Sequence, residues 1–455
     1  MSVLSNTGIR AGASGAGGDA GYKVANSLRF NSDDSAYLNK TFGAGNRMTW
    51  TWSGWVKRSS LDTYNYFFTA RSASTNYYVL SFTNDAIKWY NRPTTGTHRY
   101  ATSEALFRDP SAWYHVVLAW DTTEGTDSDR AKLYVNGERI TDYTMSSWPT
   151  EDEEGIINNN HHHEIGAYNS GGSYEFDGYL ADVHFVDGTA LDASSFAEED
   201  ATTGQWVPKD CSGDLTYGTN GFYLKFNNTS DLGEDSAGSN DWTANSFSTS
   251  AGTGNDVLAD SPTAYDDGGN GVGNYCTWNP LKNSSGTYSN GNLQLLTTAG
   301  SRHYQASFGL TSGKWYWEVE PDAGATPGMI GIALGSKAIT DNLNGAGAMS
   351  YYSATGYKQG GNTSGVDASY GATYTYGDII GVALDLDSAT KTLTFYKNGA
   401  SQGVAFNPDV TLGDWFPAVC AGSSVNTTTF IVNFGQRPFV YTPPTNYKAL
   451  NSYNT

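Results

Sequence analysis

Charged residues, cysteines and long apolar runs are all scarce in this sequence of 455 residues. Asp, Glu, Lys and Arg together make up 16% of the chain, and long segments rich in Ala, Glu, Lys and Leu are absent. Long helices are therefore not expected. Cysteine occurs only at Cys211, Cys276 and Cys420, an odd number at wide spacing without a CxxC motif. We predict neither a disulfide framework nor a zinc knuckle, and we expect buried, reduced thiols.

Basic clusters and targeting segments are missing as well. The formal net charge of −20 arises from scattered Asp and Glu, with no stripe of Lys and Arg. Nucleic-acid binding requires grouped cations that displace counterions, so we predict that the protein binds no nucleic acid. A run of about 18 apolar residues is absent, and the opening residues 1–6 have no apolar signal-peptide core. We therefore expect neither membrane insertion nor a secretory signal.

Glycine, tyrosine and tryptophan are plentiful, with 53, 31 and 13 copies. The most informative pattern occurs twice, in residues 113–140 and again in residues 377–399. Each copy has an apolar strand that ends in Asp, a polar turn, and a strand that closes in Tyr-x-Asn-Gly. Asn-Gly between β-rich segments indicates a type I′ hairpin, because that turn needs φ > 0 at both central residues. Asn136 and Asn398 lie 262 residues apart, a spacing that suits one β-domain per copy.

The predicted fold class is all-β, with two tandem antiparallel β-sandwiches behind a flexible N-terminal arm. The arm is rich in Gly and Ala, and we predict that it docks on another subunit, with Ile9 and Arg10 as assembly residues. A stretch rich in Gly, Ser, Asn and Asp is the best linker candidate. The predicted divisions are the arm at 1–21, the first sandwich at 22–232, the linker at 233–275 and the second sandwich at 276–455.

Two known families resemble parts of this sequence. The first sandwich resembles the concanavalin A-like (laminin-G-like) family over roughly residues 25–230, through segments 30–38, 113–116, 133–137 and 176–183. The C-terminal sandwich is similar to a SPRY domain, itself a concanavalin A-like jelly roll, through segments 312–320, 376–385, 395–399 and 416–419. The resemblance implies lectin-like domains that present binding loops on rigid sheets.

A laminin-G-like module followed by a SPRY-like module, behind a Gly/Ala-rich arm, is also similar to structural proteins of marine tailed phages. That resemblance implies a non-enzymatic virion protein of the tail-fibre or receptor-binding type, made in the host cytoplasm and displayed on the particle. The expected partners are other virion proteins, through the arm, and a glycan or protein of the host surface, with a homo-oligomer as the working state. The alternatives are a capsid-surface decoration or head-fibre protein, a glycan hydrolase on the same fold, and a cellular adhesin.

Glu318 and Glu320 are the most tempting candidates for catalysis. They lie on one face of a predicted strand, about 7 Å apart, a separation that suits the acid and base of an inverting glycosidase. The same segment is also an ordinary SPRY-like strand, with Trp315, Trp317 and Val319 facing inward and both glutamates facing outward. No aromatic cleft clearly belongs to it, so we predict no catalytic residue and no enzyme.

Metal-binding patterns are weak. His161, His162 and His163 precede Glu164, but neighbouring strand residues face opposite sides and cannot all reach one ion. Acidic turns offer oxygen ligands for Ca²⁺ without matching a fixed calcium motif, at Asp33, Asp34, Asp121, Asp127 and Asp129. We predict no metal site and no cofactor, and Ca²⁺ is the one ion left open.

Aromatic residues beside Arg and small polar residues carry the ligand-binding prediction. Tyr and Trp offer a large contact area at low entropic cost, which suits binding surfaces. The predicted ligand-binding residues are Tyr64, Tyr66, Trp89, Tyr90, Arg92 and His98 in the first sandwich and Tyr351, Tyr352 and Tyr357 in the second.

Overall fold

The computed structural model describes residues 9–10, 21–61, 64–169, 174–211, 213–298, 300, 302–422 and 426–455. Two compact units divide the chain, which we call the N-terminal sandwich (Ala20–Thr263) and the C-terminal sandwich (Ala264–Thr455, together with Ile9–Arg10). The predicted all-β class with two sandwiches is confirmed. The helices within the described ranges are single 3₁₀ turns, and none has the length or apolar character to cross a membrane.

The strands up to residue 263 belong to the N-terminal sandwich, except the first. In chain order they are β1 (Ile9–Arg10), β2 (Ser27–Phe30), β3 (Tyr37–Thr41), β4 (Thr49–Arg58), β5 (Tyr64–Ala73), β6 (Asn76–Thr83), β7 (Ala86–Arg92), β8 (Arg99–Leu106), β9 (Trp113–Asp121), β10 (Ala131–Val135), β11 (Glu138–Arg139), β12 (Tyr143–Ser147), β13 (His162–Ile165), β14 (Gly178–Asp187), β15 (Ala197–Glu199), β16 (Trp206–Pro208), β17 (Phe222–Leu224), β18 (Thr243–Asn245) and β19 (Val257–Leu258). Its 3₁₀ turns are Ser32–Asp34, Asp127–Asp129 and Ala193–Ser195.

The remaining strands form the C-terminal sandwich, which has one 3₁₀ turn at Val410–Leu412 in its described part. They are β20 (Thr287–Ser289), β21 (Gln294–Leu296), β22 (His303–Gln305), β23 (Phe308–Gly309), β24 (Lys314–Gly324), β25 (Met329–Leu334), β26 (Ala348–Tyr352), β27 (Tyr357–Gly361), β28 (Val366–Ser369), β29 (Ile380–Asp385), β30 (Thr392–Lys397), β31 (Ala400–Phe406), β32 (Trp415–Cys420) and β33 (Thr428–Asn433).

The N-terminal sandwich packs two antiparallel sheets against each other. The first has the order β11-β10-β9-β4-β14-β2-β19, with β17 also paired to β14, and the second has the order β12-β8-β7-β6-β5-β13-β3-β18. Buried aromatic side chains fill the space between them, among them Trp50, Trp52, Trp89 and Trp120. The Trp50 and Trp120 rings stack with centroids 5.5 Å apart. Each such side chain stabilises the fold by at least about 1.5–3 kcal/mol through burial.

Residues 233–263 are part of the N-terminal sandwich, so the prediction of a linker over 233–275 is wrong for most of its length. β18 pairs with β3, and β19 pairs with β2. Lys57 and Asp260 form a buried ion pair at 2.8 Å, and the Trp113 indole N–H donates to the same carboxylate at 3.1 Å. The loop-like composition is misleading because a buried carboxylate here neutralises a buried cation from the sheet.

The C-terminal sandwich also has two antiparallel sheets, in the orders β20-β21-β33-β24-β29-β30-β31 and β22-β32-β25-β26-β27-β28. Tyr316 and Glu318 lie on the outer side of β24, as predicted for Glu318, but they are only 1% and 3% exposed because this side is covered. The segment after β33 covers that side of β24. Phe439 contacts Tyr316 with ring centroids 5.0 Å apart, and the backbone N–H groups of Val440 and Tyr441 donate to the Glu318 carboxylate at 2.9 and 2.8 Å.

The repeated hairpin is present in both sandwiches, joining β9 to β10 and β29 to β30. The turn that follows the second strand has φ 49° at Asn136 and 85° at Gly137, and 49° at Asn398 and 78° at Gly399. Asn136 Oδ1 accepts a hydrogen bond from the backbone N–H of His115 in β9, and Asn398 Oδ1 accepts one from the backbone N–H of Ile379 just before β29, both at 2.8 Å. The type I′ geometry predicted from Asn-Gly is therefore confirmed in both copies.

The described part of the predicted arm is β1 together with Gly21. It pairs in parallel with β23, with Ile9 opposite Phe308 and Arg10 opposite Gly309. Residues 1–8 and 11–20 lie outside the described residues. Docking of the arm on a neighbouring subunit stays a prediction.

Candidate ligand-binding site

The outer side of the second sheet of the N-terminal sandwich carries an open concave surface. Successive strand residues point to opposite faces, so β5 to β8 each present one apolar and one polar or aromatic side. In β7, Ile87 and Trp89 are buried in the core, whereas Lys88, Tyr90 and Arg92 lie on the outer side. We call this surface of about 430 Å³ the tyrosine cleft, lined by Tyr64, Tyr66, Ser74, Tyr77, Val79, Thr83, Lys88, Tyr90, Arg92, Tyr168 and Tyr174.

Six tyrosines form a continuous series of ring contacts along the tyrosine cleft. Edge-on and tilted contacts of this kind stabilise one another by about 0.5–1.5 kcal/mol each, which holds the rings in fixed positions. The centroid distances are Tyr64–Tyr174 5.1 Å, Tyr174–Tyr66 5.0 Å, Tyr66–Tyr168 6.1 Å, Tyr168–Tyr77 5.4 Å and Tyr77–Tyr90 5.8 Å. A bound molecule would therefore meet preformed aromatic edges and faces.

Polar groups accompany the rings. Burial raises the pKa of Tyr66, Tyr90 and Tyr168 above the ordinary value, so these hydroxyls are neutral and both donate and accept hydrogen bonds. The Tyr90 hydroxyl shares a hydrogen bond of 2.7 Å with Nδ1 of His98. Burial lowers the pKa of Lys88. The cleft thus combines apolar ring surface with neutral hydroxyls and a small number of cations.

The structure brings together most of the residues predicted for ligand binding in this sandwich. Tyr64, Tyr66, Tyr90 and Arg92 line the tyrosine cleft, and His98 adjoins it through the Tyr90 hydroxyl. Trp89 does not belong to it: its side chain is fully buried on the core side of the sheet. The prediction for Trp89 is therefore wrong, and the alternation of Lys88, Tyr90 and Arg92 around it is the signal that separates the two faces.

Tyr168, Tyr174 and Lys88 are members of the cleft that were not predicted from sequence. Lys88 carries a readable signal, since it alternates with Tyr90 on the outer side of β7. Tyr168 and Tyr174 follow β13 and reach the cleft because β13 pairs with β5. That pairing brings together residues about a hundred positions apart, and no local pattern reports it.

The three tyrosines predicted for ligand binding in the C-terminal sandwich have different environments. Tyr351 is fully buried, and its hydroxyl donates to the carbonyl of Ala372, so the prediction that it binds a ligand is wrong. Tyr352 is partly buried against a small apolar cluster. Tyr357 is 38% exposed.

The Glu318 carboxylate has no open side for a substrate. Besides the two backbone N–H groups of Val440 and Tyr441, it accepts a hydrogen bond from the Tyr316 hydroxyl at 3.2 Å. Burial raises the pKa of Glu318 and of Glu320. The hydrogen bonds from the covering segment and from Tyr316 oppose this rise in the pKa of Glu318, and through them its oxygens fasten the covering segment to β24.

The described residues contain no group of three His, Cys, Asp or Glu side chains placed to hold a metal ion. His163 stacks on Phe42 with centroids 3.9 Å apart, whereas His162 Nε2 lies 2.9 Å from the Glu164 carboxylate. The acidic turns considered for Ca²⁺ make local contacts. Asp121, for example, accepts from the backbone N–H of Thr123 at 3.0 Å.

A buried ionic cluster on β14 also went unpredicted from sequence. Asp182, at φ 52° beside a bulge, lies 3.5 Å from Nε2 of His184 and accepts hydrogen bonds from the Tyr22 and Tyr223 hydroxyls. Burial lowers the pKa of His184, but the Asp182 carboxylate and Cys211 together outweigh burial and raise it to about 9. Cys211 Sγ lies 3.9 Å from the same ring nitrogen. A catalytic relay would need the Cys211 thiol on one ring nitrogen of His184 and the Asp182 carboxylate on the other. Because both groups contact Nε2, the arrangement is an ion pair and not such a relay.

Comparison with known proteins assigns both sandwiches to domain families. Residues 30–195 match the family model of the concanavalin A-like lectin/glucanases superfamily, in its laminin-G-like branch. Residues 314–437 match the SPRY domain model. The chain therefore carries a laminin-G-like domain in its N-terminal half and a SPRY domain in its C-terminal half, and both resemblances predicted from sequence are confirmed.

Two relatives with curated descriptions each match this chain over a segment of 134 residues. Ran-binding protein 10 of Danio rerio is 33% identical over 134 residues, covering 28% of this chain and 20% of the relative. Ran-binding protein 9 of Homo sapiens is 31% identical over 134 residues, covering 28% of this chain and 17% of the relative. The chain thus spans about a fifth of the length of these relatives.

Solved structures that match do so at low identity. The SPRY domain of human HERC1 is 22% identical, with a TM-score of 0.31, and the match covers 35% of this chain and 99% of that one. A putative carbohydrate-binding protein from Bacteroides ovatus is 17% identical, with a TM-score of 0.32, over 49% of this chain and 59% of that one.

Proposed function

We propose that this protein is a non-enzymatic virion structural protein of a tailed phage, of the tail-fibre or receptor-binding type, and that it holds a host-surface glycan in the tyrosine cleft. The cleft is the observation that carries the proposal. Six fixed tyrosine rings, neutral hydroxyls and a volume of about 430 Å³ suit a short saccharide. Ring faces pack against the C–H faces of sugars, and hydroxyls bond to theirs.

Placement on a particle is supported by the order of the modules. A Gly/Ala-rich segment precedes two domains of binding type, which suits an assembly contact followed by displayed adhesion modules. The SPRY domain offers a second binding surface, for a neighbouring virion protein or a host protein. Weak single-site binding is multiplied when a homo-oligomer or many copies act together.

The absence of enzyme activity is part of the proposal. It is supported by Glu318, the strongest catalytic candidate of the sequence, because backbone N–H groups and a tyrosine hydroxyl occupy its oxygens. A glycan hydrolase would need a carboxylate pair that is open to the bound sugar. Release of reducing ends from a bound polysaccharide, lost on Glu318→Gln in a protein that still folds, would restore the enzyme alternative.

A glycan-binding screen with the full chain tests the adhesive function. We expect retention of at least one host-surface saccharide and a loss of about tenfold or more in affinity for the double variant Tyr66→Ala, Tyr90→Ala. The double variant Tyr441→Ala, Tyr453→Ala is the matched control, since it removes two tyrosines of the same intermediate burial from the other sandwich. Retention of no glycan, or equal losses in both variants, would contradict the proposal.

Electron microscopy of purified particles labelled with antibody against the C-terminal sandwich tests the placement. Label at the tail supports the tail-fibre type. Label over the capsid, at tens to hundreds of copies, would support capsid decoration instead. Particles without label would contradict a virion role.

A further inference from the structure

Three cations lie on the tyrosine rings of the cleft. The Lys88 Nζ is 4.9 Å from the Tyr90 ring centroid, the Arg92 guanidinium carbon is 5.5 Å from that of Tyr77, and the Arg71 guanidinium carbon is 5.3 Å from that of Tyr168. Such contacts hold a cation over an aromatic face with about 0.5–2 kcal/mol. The sheet register explains the grouping, because Tyr77 pairs with both Arg71 and Arg92.

None of these three cations has a described carboxylate within ion-pair distance. No acidic residue is among the described side chains that line the cleft. The chain as a whole has 46 acidic and 26 basic residues. A surface on which the described charged side chains are all basic is therefore not what this overall composition predicts.

A second cavity of the same sandwich shows the contrast. It encloses about 270 Å³ near the β7–β8 turn and also contains two arginines. There Arg99 pairs with Glu153 at 2.9 Å, and Arg47 pairs with Glu154. The arginines in that cavity form ion pairs with carboxylates of the same protein. The cations of the tyrosine cleft form no such pair with a described carboxylate, so the anionic group of a ligand can bind to them.

We propose that the tyrosine cleft selects an anionic saccharide, whose carboxylate or sulfate group is bound by Lys88 and Arg92 while its sugar ring packs against the tyrosines. This inference rests on the proposed glycan-binding function and adds the charge class of the ligand. Arg92 fits such a group through paired N–H donors, and Lys88 acts as a point charge beside it. Because the cleft is open, binding is screened by salt.

The test compares matched saccharides on the full chain. The probes are dextran, dextran sulfate and polygalacturonate, together with neutral and sulfated forms of each saccharide retained in the glycan screen. We expect the anionic member of each retained pair to bind at least about tenfold more tightly at 50 mM than at 500 mM salt. The double variant Lys88→Gln, Arg92→Gln should lose about tenfold or more in affinity for it.

The matched control is Lys132→Gln, Arg139→Gln, which removes the same charge from the first sheet of the same sandwich. These cations are neutralised by Glu124 at 3.2 Å and by Asp129 at 2.6 Å, and the control should bind as the parent does. Binding of the sulfated but not the carboxylated saccharides, or the reverse, supports the inference and identifies which anionic group the cleft binds. Equal binding of neutral and anionic members overturns this inference and leaves glycan binding intact, whereas binding of no saccharide overturns both. An equal loss in the two double variants assigns the effect to general charge and also overturns it.

Discussion

The second sheets of the two sandwiches differ in what lies on their outer side. In the C-terminal sandwich, β25 reads Met-Ile-Gly-Ile-Ala-Leu and is buried at every position. Its outer residues Met329 and Ala333 pack in a cluster with Leu343 from the loop that follows. In the N-terminal sandwich, β7 reads Ala-Ile-Lys-Trp-Tyr-Asn-Arg and is fully buried on one face only. A uniformly apolar strand indicates a covered face, and an alternating one indicates an open face.

This difference separates a sheet face that is buried for stability from a sheet face on which we propose that a ligand binds. The second sheet of the C-terminal sandwich has a second layer of apolar contacts on its outer side. Because that side is covered, no ligand can bind to it. The open sheet keeps tyrosines and cations half-buried, where they are fixed by one another and still reach solvent. Two sandwiches of related fold therefore present different surfaces, because the residues on alternate strand positions differ.

The largest expected effect comes from a charge placed on the covered face. Ala333→Lys puts an ammonium where the side chain is fully buried, and we expect a loss of about 5 kcal/mol or more in the free energy of unfolding of the C-terminal sandwich. Thr83→Lys, on the rim of the tyrosine cleft, should cost less than about 1 kcal/mol. Urea unfolding with pulse proteolysis measures each sandwich in the full chain. Similar losses in the two variants would mean that the faces do not differ in cover.

The segment 233–263 gives the next largest effect. Asp260→Ala leaves Lys57 buried beside an indole N–H that has lost its acceptor, so we expect a loss of about 3–5 kcal/mol in the N-terminal sandwich. Asp214→Ala is the control, because that carboxylate is exposed, and it should stay within about 0.5 kcal/mol of the parent. The same unfolding measurement applies. If Asp260→Ala is as stable as Asp214→Ala, the segment behaves as the linker that its composition predicts.

The pH dependence of stability should separate the sandwiches above pH 6.5. His184 has its pKa raised from 6.5 to about 9 by Asp182 and Cys211, so its stabilisation is complete below pH 6.5 and is lost as the pH rises through about 9. We expect a loss of about 3 kcal/mol in the N-terminal sandwich over that range. The C-terminal sandwich has one histidine, His303, whose pKa is lowered by burial to about 4, so no histidine there titrates between pH 6.5 and 9.

Unfolding at pH 6, 7.5 and 9 measures this effect, with His184→Gln as the control that should flatten the slope. A slope that persists in His184→Gln would assign it to another group. An equal dependence of the free energy of unfolding on pH in both sandwiches would also assign the effect to a group other than His184.

The sequence predicts the fold and part of the candidate site because both depend on local alternation and turn chemistry. The Asn-Gly turns of the two repeated hairpins have the φ > 0 that their sequence predicts, and Tyr64, Tyr66, Tyr90 and Arg92 lie on strands whose pattern is readable. Trp89 could have been excluded on the same alternation. What local patterns do not contain is long-range pairing.

Long-range pairing explains the remaining misses. Tyr168 and Tyr174 reach the cleft through the β13–β5 pairing, and the predicted linker is held by carboxylates such as Asp256, which pairs with the buried Arg29 at 2.8 Å. Asp256 in a Gly- and Ser-rich stretch has no local feature that distinguishes it from a solvated turn residue. Burial of its partner, about 230 positions earlier, decides its role.

The smallest expected effect tests the feature that the two sandwiches share. Asn136→Ala and Asn398→Ala each force alanine to φ 49° and remove a side-chain acceptor from a backbone N–H at 2.8 Å. We expect each change to destabilise its own sandwich by about 1–2 kcal/mol, and by similar amounts. Asn136→Asp keeps the acceptor and tolerates φ > 0, so it should recover most of the loss. Asn398→Asp should not, because the Asn398 Nδ2 donates to the Asp378 carboxylate at 2.7 Å and a second carboxylate at that place would be repelled. Urea unfolding read separately for each sandwich measures all four variants. The two turns have the same φ at Asn, so their geometry alone predicts a similar loss of unfolding free energy for the two Asn→Ala variants. A loss in only one sandwich would mean that the repeated Tyr-x-Asn-Gly sequence stabilises only one of the two hairpins.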